Sequence, residues 1–322
     1  MINTLGSFSA IVIVLWLLLS ILFAIVYPLI KSLFFTLHPR FGSALLLAYW
    51  MGPFILSVLS TSFLFVPELE RVLVDPHCHE ACANHVPLIQ SLGLASFGLA
   101  VGGFVLLFLI VRCVQTLRQS RQLKTQFRAF ARHCGAYHLL GSTTPLVFTL
   151  GWWKPKIYLS EGLSRACSDA DLSIILLHEQ AHQERRDNLR LLLARLSSAI
   201  LSNIFATRIM SDLQLLTEQA CDFRAAERFG HVAVAQTLLK VRRLMSLPSA
   251  AVAGVSTAFA DRDVEMRIKA LLKAQHRVAL RPWQVVAIAC VLMLSLSLLI
   301  SPLHHGSEWV ITKLSSESAH LH

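Results

Sequence analysis

The sequence predicts a mainly α-helical membrane protein with four transmembrane helices and an α+β domain between the third and the fourth. Of the 322 residues, 55% are hydrophobic and only 15% are charged, whereas soluble domains carry about 25% charged residues. Four stretches contain no Asp, Glu, Lys or Arg, and each is close to the ~20 residues that a helix needs to cross a bilayer. These stretches are Phe8–Tyr27, Ser43–Val66, Leu92–Val111 and Trp283–Ser301.

The distribution of Lys and Arg predicts the orientation. Lys31 and Arg40 follow the first stretch, basic residues are frequent after the third and before the fourth, and the loop 67–91 is acidic. Because Lys and Arg favour the cytoplasmic side, we expect both termini and this loop outside. The predicted organisation is a three-helix region at 1–112 with the outside loop 67–91, a cytoplasmic domain at 113–282, a fourth helix at 283–301 and a short outside tail at 302–322.

The net charge of +10 follows from the same bias. It favours contact with anionic lipid. A nucleic-acid-binding protein would show a basic face interleaved with aromatic residues, and the sequence has no such pattern. The lipid bilayer is therefore an expected partner, and direct nucleic-acid binding is not expected.

Local patterns predict the elements of the cytoplasmic domain. Val114–His133 reads as a basic helix near the lipid headgroups, and Thr144–Ser160 as two strands around a Gly-Trp-Trp-Lys-Pro turn. A helix should begin with Ser168 or Asp169 as its N-cap. The apolar run Leu191–Phe205 is predicted to be a buried or half-immersed helix, because a fifth crossing would separate the two motifs described next. The last predicted helices are Ser211–Phe229 and His231–Met245, and small residues at Gly52-Pro53 and Gly102-Gly103 predict contacts between membrane helices.

The stretch "LLHEQAHQERRD" (Leu176–Asp187) contains a His-Glu-x-x-His pattern. Side chains four residues apart share one helix face, so His178 and His182 can both offer a ring nitrogen to one metal ion. Glu179 lies beside them, where it can act on a water molecule; this is the arrangement of a zinc peptidase. A charged, solvated helix face is the alternative interpretation.

A third metal ligand is predicted from "LLTEQACDFRAAERFG", where Glu218 and Asp222 lie four residues apart. Glu218 would complete a His₂Glu site, and Asp222 would hold the far nitrogen of one ligating histidine. An ordinary polar pair on a surface helix is the alternative. Asp187 is a weaker candidate for the same supporting role, with a salt bridge near Arg185 and Arg186 as the other option.

Such a site predicts zinc-assisted peptide hydrolysis. The zinc ion would make a water molecule more acidic, and Glu179 would accept its proton and return a proton to the leaving amine. The substrate could pair with an edge strand of Leu146–Leu159. Tyr158 is a candidate to stabilise the oxyanion, although packing is the simpler role for it.

Three segments together resemble the BlaR/MecR-type integral membrane zinc peptidases: "PLVFTLGWWKPKIYLSEGL", "LLHEQAHQERRDNL" and "EQACDFRAAERFG". That family combines a Gly-x-x-Lys-Pro strand turn, a His-Glu-x-x-His followed by Asp, and Glu-x-x-Cys-Asp. The resemblance covers roughly Pro145–Phe229 and extends weakly to "FADRDVEMRIKALL". More distant zinc peptidases of the HtpX type share only His-Glu-x-x-His and Glu-x-x-x-Asp.

The resemblance implies a gluzincin-like domain in a multi-pass protein of the bacterial inner membrane. It implies one Zn²⁺ per chain on His178, His182 and Glu218, with Glu179 as the catalytic carboxylate and Asp222 as the supporting aspartate. It also implies proteolysis triggered by an outside signal, with cleavage of the chain itself or of a cytosolic winged-helix repressor of the BlaI/MecI/CopY kind. The oligomeric state is left open, a homodimer being one option.

The chain departs from the antibiotic sensors of this family, which carry a penicillin-binding domain after the fourth span. The residues after Ser301 contain no Ser-x-x-Lys, so a β-lactam receptor with a penicillin-binding domain is not expected. The outside loop contains "DPHCHEACANH", which concentrates ligands that suit Cu(I) or Zn²⁺. A Cys78–Cys82 disulfide is the alternative. The candidate sensor residues are His77, Cys78, His79, Cys82 and His85.

Two other classes of function remain compatible with the sequence. One is a quality-control peptidase that degrades many membrane proteins, and the other is a non-catalytic receptor with structural zinc. Glu179 argues against the receptor, because a structural site does not need a base beside its ligands.

Overall fold

The computed structural model describes residues 1–65, 89, 91–197, 203–245, 255–273, 284 and 306; for 203–205 and 255–261 it describes the backbone alone. The predicted fourth span, the outside Cys/His cluster and the tail 302–322 therefore lie outside the described residues, apart from Gln284 and Gly306.

Within the described residues, three helices are long and apolar enough to cross a membrane: α1 (Ile2–Thr36), α2 (Pro39–Leu64) and α3 (Leu92–Phe130). Helices α1 and α3 contain the predicted stretches Phe8–Tyr27 and Leu92–Val111 in full, and α2 covers the predicted Ser43–Val66 up to Leu64. The prediction of a separate basic helix at Val114–His133 is wrong, because α3 continues from the apolar stretch to Phe130. No Gly or Pro lies between Val111 and Phe130 to end the helix.

Glycines mark close contacts among these helices. A Cβ atom on Gly102 would lie 2.8 Å from Cβ of Ser9 in α1, and one on Gly52 would lie 3.0 Å from the ring of Phe23. Added side chains at these two positions would force neighbouring groups to move, as the sequence predicts. A Cβ on Gly103 would meet no described atom within 4 Å. Of the predicted Gly102-Gly103 pair, only Gly102 therefore marks a close helix contact among the described residues.

A four-stranded sheet follows α3. Its strands are β1 (Ala131–Cys134), β2 (Tyr137–Leu140), β3 (Val147–Leu150) and β4 (Lys156–Ser160), in the order β1-β2-β4-β3. β2 and β4 are parallel, and the other two pairs are antiparallel. The strands β3 and β4 lie within the predicted Thr144–Ser160, whereas the β1–β2 hairpin was not predicted. Gly135, with φ of 67°, forms part of its two-residue turn.

Six helices complete the described fold. They are α4 (Glu161–Ala166), α5 (Asp169–Arg185), α6 (Asp187–Ser197), α7 (Asn203–Phe229), α8 (His231–Met245) and α9 (Val255–Leu272). The predicted run Leu191–Phe205 is divided between α6 and α7, and 198–202 lie outside the described residues. The helix predicted at Ser211–Phe229 begins eight residues earlier, at Asn203, and the one predicted at His231–Met245 has those bounds.

Helix α5 lies between two apolar clusters. On one side Ile175 packs with Leu159 of β4 and Leu163 of α4. On the other side Ile174 packs with residues of α7, α8 and α9, among them Phe223, Val234 and Leu271. Because both sides of α5 are held, the polar residues that it carries are fixed relative to the sheet and to α7.

Among the described residues the chain forms two compact units. The first comprises Met1–Leu29 and Tyr49–Val111, and the second comprises Ile30–Ala48 and Arg112–Ala279. The second unit contains the sheet and all of the predicted cytoplasmic site residues. Its inclusion of Ile30–Ala48, the end of α1 and the start of α2, was not predicted.

Candidate metal centre

Helix α5 positions the His-Glu-x-x-His residues. Its N-terminus is fixed by a capping box: the Ser168 hydroxyl accepts from the backbone N–H of Asp171, and the Asp171 carboxylate accepts from the backbone N–H of Ser168. The helix ends at Arg186, which adopts a left-handed conformation with φ of 52°. This turn changes the direction of the chain, so that Asp187 lies beside His182.

Three predicted ligand side chains converge. The Nε2 atoms of His178 and His182 are 3.2 Å apart, and each lies 3.4 Å from a carboxylate oxygen of Glu218 in α7. These three residues can hold one metal ion. Two imidazoles and one carboxylate match the donor set of catalytic Zn²⁺ sites, and Glu218, with 38% of its side chain exposed, leaves the cluster accessible.

The other ring nitrogens of the histidines face carboxylates. His178 Nδ1 lies 3.0 Å from Asp222 Oδ1, and His182 Nδ1 lies 2.9 Å from Asp187 Oδ2. An Nδ1–H that donates to a carboxylate leaves the Nε2 lone pair for a metal ion. Asp222 thus lies within hydrogen-bonding distance of His178, and its role in supporting a metal ligand stays a prediction. Asp187, the weaker candidate, makes the same kind of contact with the second histidine and also pairs with Arg185 and Arg190.

A largely buried arginine, which the sequence interpretation did not place in the site, binds the two site carboxylates of α7, Glu218 and Asp222. Arg267 of α9 donates from Nε and Nη2 to the two oxygens of Asp222, each at 2.7 Å. Its Nη1 lies 3.1 Å from Glu218 Oε2. The guanidinium therefore fixes both the proposed ligand and the aspartate that orients His178.

Charges within the cluster shift its pKa values. Burial opposes ionisation, but hydrogen bonds to Asp222 and Asp187 raise the pKa of His178 and His182 above the ordinary value. Burial also opposes ionisation of Glu218 and Asp222, but Arg267 holds the pKa of both carboxyls below the ordinary range. Both carboxylates are consequently ionised at neutral pH and can accept hydrogen bonds or bind a cation.

The predicted catalytic carboxylate belongs to a buried residue whose side chain is oriented by the sheet. Glu179 is 7% exposed, and its Oε2 accepts from the hydroxyl of Thr149 in β3 at 2.7 Å. Asn188 of α6 in turn donates to the carbonyl oxygens of Thr149 and Gly151. The end of β3 is thereby connected to both helices that flank the left-handed turn at Arg186.

A second group of potential ligands shares His182. Cys221 Sγ lies 3.3 Å from His182 Nδ1 and 3.6 Å from Asp187 Oδ2, and these three residues could also hold a metal ion. Burial raises the pKa of Cys221 to about 12, whereas metal binding uses the thiolate. Asp187 is already paired with two arginines. The cluster with Glu218 is therefore the better metal site.

Tyr158, which the sequence suggested as a candidate to stabilise the oxyanion, is fully buried. Its ring stacks on Phe148 with centroids 5.5 Å apart and on His138 at 5.2 Å. This aromatic environment gives Tyr158 a packing role. Among the described residues, Thr149 and Arg267 are the site residues that the sequence interpretation missed.

The fold and the cluster together define a class. The described part of the chain is mainly helical and includes three helices that could span a membrane. It brings His178, His182 and Glu218 together, and a buried glutamate follows His178 directly in the sequence; these are features of a membrane metallopeptidase. A comparison with protein families agrees: the model of the family described as BlaR1 peptidase M56 matches residues 99–271, more than half of the chain. The chain belongs to this family. No curated protein and no solved structure matches it.

Proposed function

We propose that the chain is a membrane-embedded zinc endopeptidase in which His178, His182 and Glu218 hold the metal and Glu179 is the general acid–base. The observation that carries this proposal is the convergence of two Nε2 atoms and a carboxylate in a chain of a peptidase family. A buried glutamate, Glu179, directly follows the first of the two histidines in the sequence. A zinc ion bound there would act as a Lewis acid that polarises the scissile carbonyl and acidifies the attacking water.

The protein residues have separate tasks in this mechanism. Glu179 takes a proton from the water and delivers a proton to the nitrogen of the leaving amine. The Thr149 hydroxyl holds Oε2 of Glu179, which limits rotation of the carboxylate. Asp222 and Asp187 keep the imidazole rings oriented with Nε2 towards the cluster.

The sheet offers a place for the substrate. Strand β3 is at the edge of the described sheet, and it contains Thr149, which contacts Glu179. A peptide that adds to this edge would be held extended beside the catalytic carboxylate.

We extend the proposal to signalling, which rests on the resemblance to the BlaR/MecR-type peptidases. In this role the enzyme cleaves itself, a cytosolic BlaI/MecI/CopY-like repressor, or both, in response to an outside signal. In this proposal the catalytic domain lies on the cytoplasmic side, as the distribution of basic residues predicts, and the membrane is the inner membrane of a bacterium, as the resemblance implies.

A comparison of cellular N-termini tests the proposal. Glu179→Gln is expected to abolish cleavage without loss of zinc, because it removes the base and leaves the ligands in place. Glu184→Gln is the matched control, since Glu184 is exposed on the same helix. New N-termini that depend on Glu179 and fall in the chain itself or in one repressor would support signalling, whereas many in unrelated membrane proteins would favour quality control. Cleavage that survives Glu179→Gln would contradict the mechanism.

A further inference from the structure

The segment Ile30–Ala48 comprises the end of α1, the turn to α2 and the start of α2, and is called the α1–α2 connection below. It belongs to the same compact unit as the metal cluster. It lies along one face of α7, the helix that supplies Glu218 and Asp222. Its contacts on α7 are spaced by four and seven residues, which is the spacing of a single helix face. They are the ion pair Lys31–Asp212 at 2.6 Å, the close approach of Gly42 to Leu216 and the edge-to-face pair His38–Phe223 at 5.2 Å.

A polar contact connects the same segment to the end of α5. Ser43, which is fully buried at the start of α2, accepts a hydrogen bond from Arg185 Nη2 at 2.9 Å. Its own hydroxyl hydrogen is directed to the carbonyl of Arg40 at 3.2 Å, so its lone pairs are available to the guanidinium. Arg185 is only 16% exposed.

From Arg185 the contacts continue to a predicted metal ligand. Arg185 Nε lies 3.2 Å from both carboxylate oxygens of Asp187, and Asp187 Oδ2 lies 2.9 Å from His182 Nδ1. Ser43 of α2 and the imidazole of His182 are therefore joined by three consecutive polar contacts, each of them partly buried.

We propose that this chain of contacts, Ser43–Arg185–Asp187–His182, couples the α1–α2 connection to the metal site. Arg185 is a positioning residue: with Ser43 in place it holds Asp187 against His182 together with Arg190. Displacement of the start of α2 weakens the support from Arg185, loosens Asp187 and lowers the affinity of the site for Zn²⁺. This inference rests on the proposed metal site and provides a means of regulating it.

The chemistry of the connection favours coupling over simple packing. Apolar contacts would be enough to hold α2 against α7, and Phe223 and Leu216 already supply them. A buried hydroxyl that binds a guanidinium has in addition a strict requirement for distance and angle, so a small shift of α2 breaks the contact. Because α1 and α2 are two of the helices that could span a membrane, events in the bilayer can reach Ser43 through continuous helix.

Zinc affinity of the purified full chain is the first test. Zn²⁺ is titrated against the chain in detergent in competition with a chelating indicator, and folding of each variant is checked by its melting temperature. Ser43→Ala is expected to weaken zinc binding by about three- to tenfold, the range that loss of one hydrogen bond produces. Ser57→Ala is the matched control, because Ser57 is an equally buried serine of α2 whose hydroxyl donates to the carbonyl of Phe54 within the helix; this variant should bind zinc like the wild type.

The double variant distinguishes coupling from a general disturbance. Arg185→Met interrupts the chain and should weaken zinc binding by about tenfold or more, as changes next to a ligand usually do. In that background Ser43→Ala should have no further effect. An equal effect of Ser43→Ala in both backgrounds, or no effect in a folded wild-type background, overturns the proposal.

Hydrogen exchange tests the reciprocal effect without any change at Ser43. Since coupling acts equally in both directions, zinc should slow amide exchange in residues 38–48 of the wild type and not of Arg185→Met. If the rate of amide exchange in this segment of the wild type is the same with and without zinc, the coupling is overturned, even if Ser43→Ala fails to fold. A wild-type chain that binds no zinc contradicts the proposed function and the coupling together, whereas zinc binding that is independent of Ser43 contradicts the coupling alone.

Discussion

Arg267 compensates the negative charge of two carboxylates at the candidate site. It is the cation that faces both Glu218 and Asp222, and Asp222 is almost fully buried. Removing one partner of a buried ion pair leaves the other charge without compensation. The stability of the domain should therefore depend strongly on this side chain.

Arg267→Met tests that dependence. We expect the free energy of unfolding to fall by about 3 kcal/mol, which lowers the melting temperature by roughly 6–12 °C for a domain of this size. The measurement is thermal unfolding in chelator, so that metal binding does not contribute. Arg267→Met with Asp222→Asn should recover part of the loss, because it removes the stranded charge. A single variant as stable as the wild type would show that the guanidinium is not needed there.

The hydroxyl of Thr149 should contribute to the rate of cleavage, because it holds the carboxylate of Glu179. Thr149→Val keeps the shape of the side chain and removes the hydroxyl that donates to Glu179. We expect the rate of cleavage to fall by about tenfold, which corresponds to about 1.4 kcal/mol, with unchanged zinc content. Thr149→Ser keeps the hydroxyl and should retain most of the activity; equal rates for the Val and Ser variants would remove the orienting role.

The sequence could predict some of these residues and not others. The sequence could identify two groups of candidates because the members of each group lie within four residues on one helix. The first group is His178, Glu179 and His182, and the second is Glu218 and Asp222. Arg267 was counted only as one of the basic residues that set the orientation, and its segment only as a weak extension of the resemblance. Neither Arg267 nor Thr149 is close in sequence to its partner, so the tertiary fold decides both contacts.

At the scale of elements, the N-terminus of α5 is connected to α8. Lys240 of α8 lies 2.6 Å from Asp171 Oδ2, and Thr237 donates to the other oxygen at 3.1 Å. Asp171 is also the acidic member of the capping box. One carboxylate therefore both starts the helix that carries the histidines and fastens it to its neighbour.

A pH dependence follows from this carboxylate. The hydrogen bond from Lys240 lowers the pKa of Asp171 from its ordinary 3.8 to about 2. A group whose pKa is lower in the folded state stabilises that state above its unfolded pKa, and the contribution is lost as the pH falls through the folded pKa. Asp171→Asn should lower the melting temperature by roughly 2–4 °C at about pH 6, and this difference should vanish towards about pH 2. Asp169→Asn, at an exposed position of the same turn, is the control; a difference for Asp171→Asn that does not change with pH would exclude the ionised pair as its cause.

Element boundaries show where local patterns are sufficient. The helix at His231–Met245 and the strands β3 and β4 could be predicted because Gly230, Pro145 and the Gly-Trp-Trp-Lys-Pro turn mark their limits. The β1–β2 hairpin could not, because Ala131–Leu140 contains basic and histidine residues without a clear alternation. Its strands are held by pairing of β2 with β4, which depends on residues twenty positions further along the chain.

For the whole molecule, composition was enough to predict a membrane protein, and the structure contains three of the four predicted helices among its described residues. The packing of Ile30–Ala48 against α7 and the end of α5 could not be predicted, since the segment between the first two spans has no pattern that identifies its partner. This packing brings Ser43 to Arg185, and it supplies the proposed route from α2 to the candidate site.

The central claim is that the three converging side chains hold one zinc ion. Metal analysis of the full chain purified in detergent tests it most directly, with single alanine variants of His178, His182 and Glu218 alongside Glu179→Gln. We expect one zinc per chain in the wild type and in Glu179→Gln, and almost none in the three ligand variants. A wild-type chain without stoichiometric zinc, or ligand variants that keep it, would contradict the account.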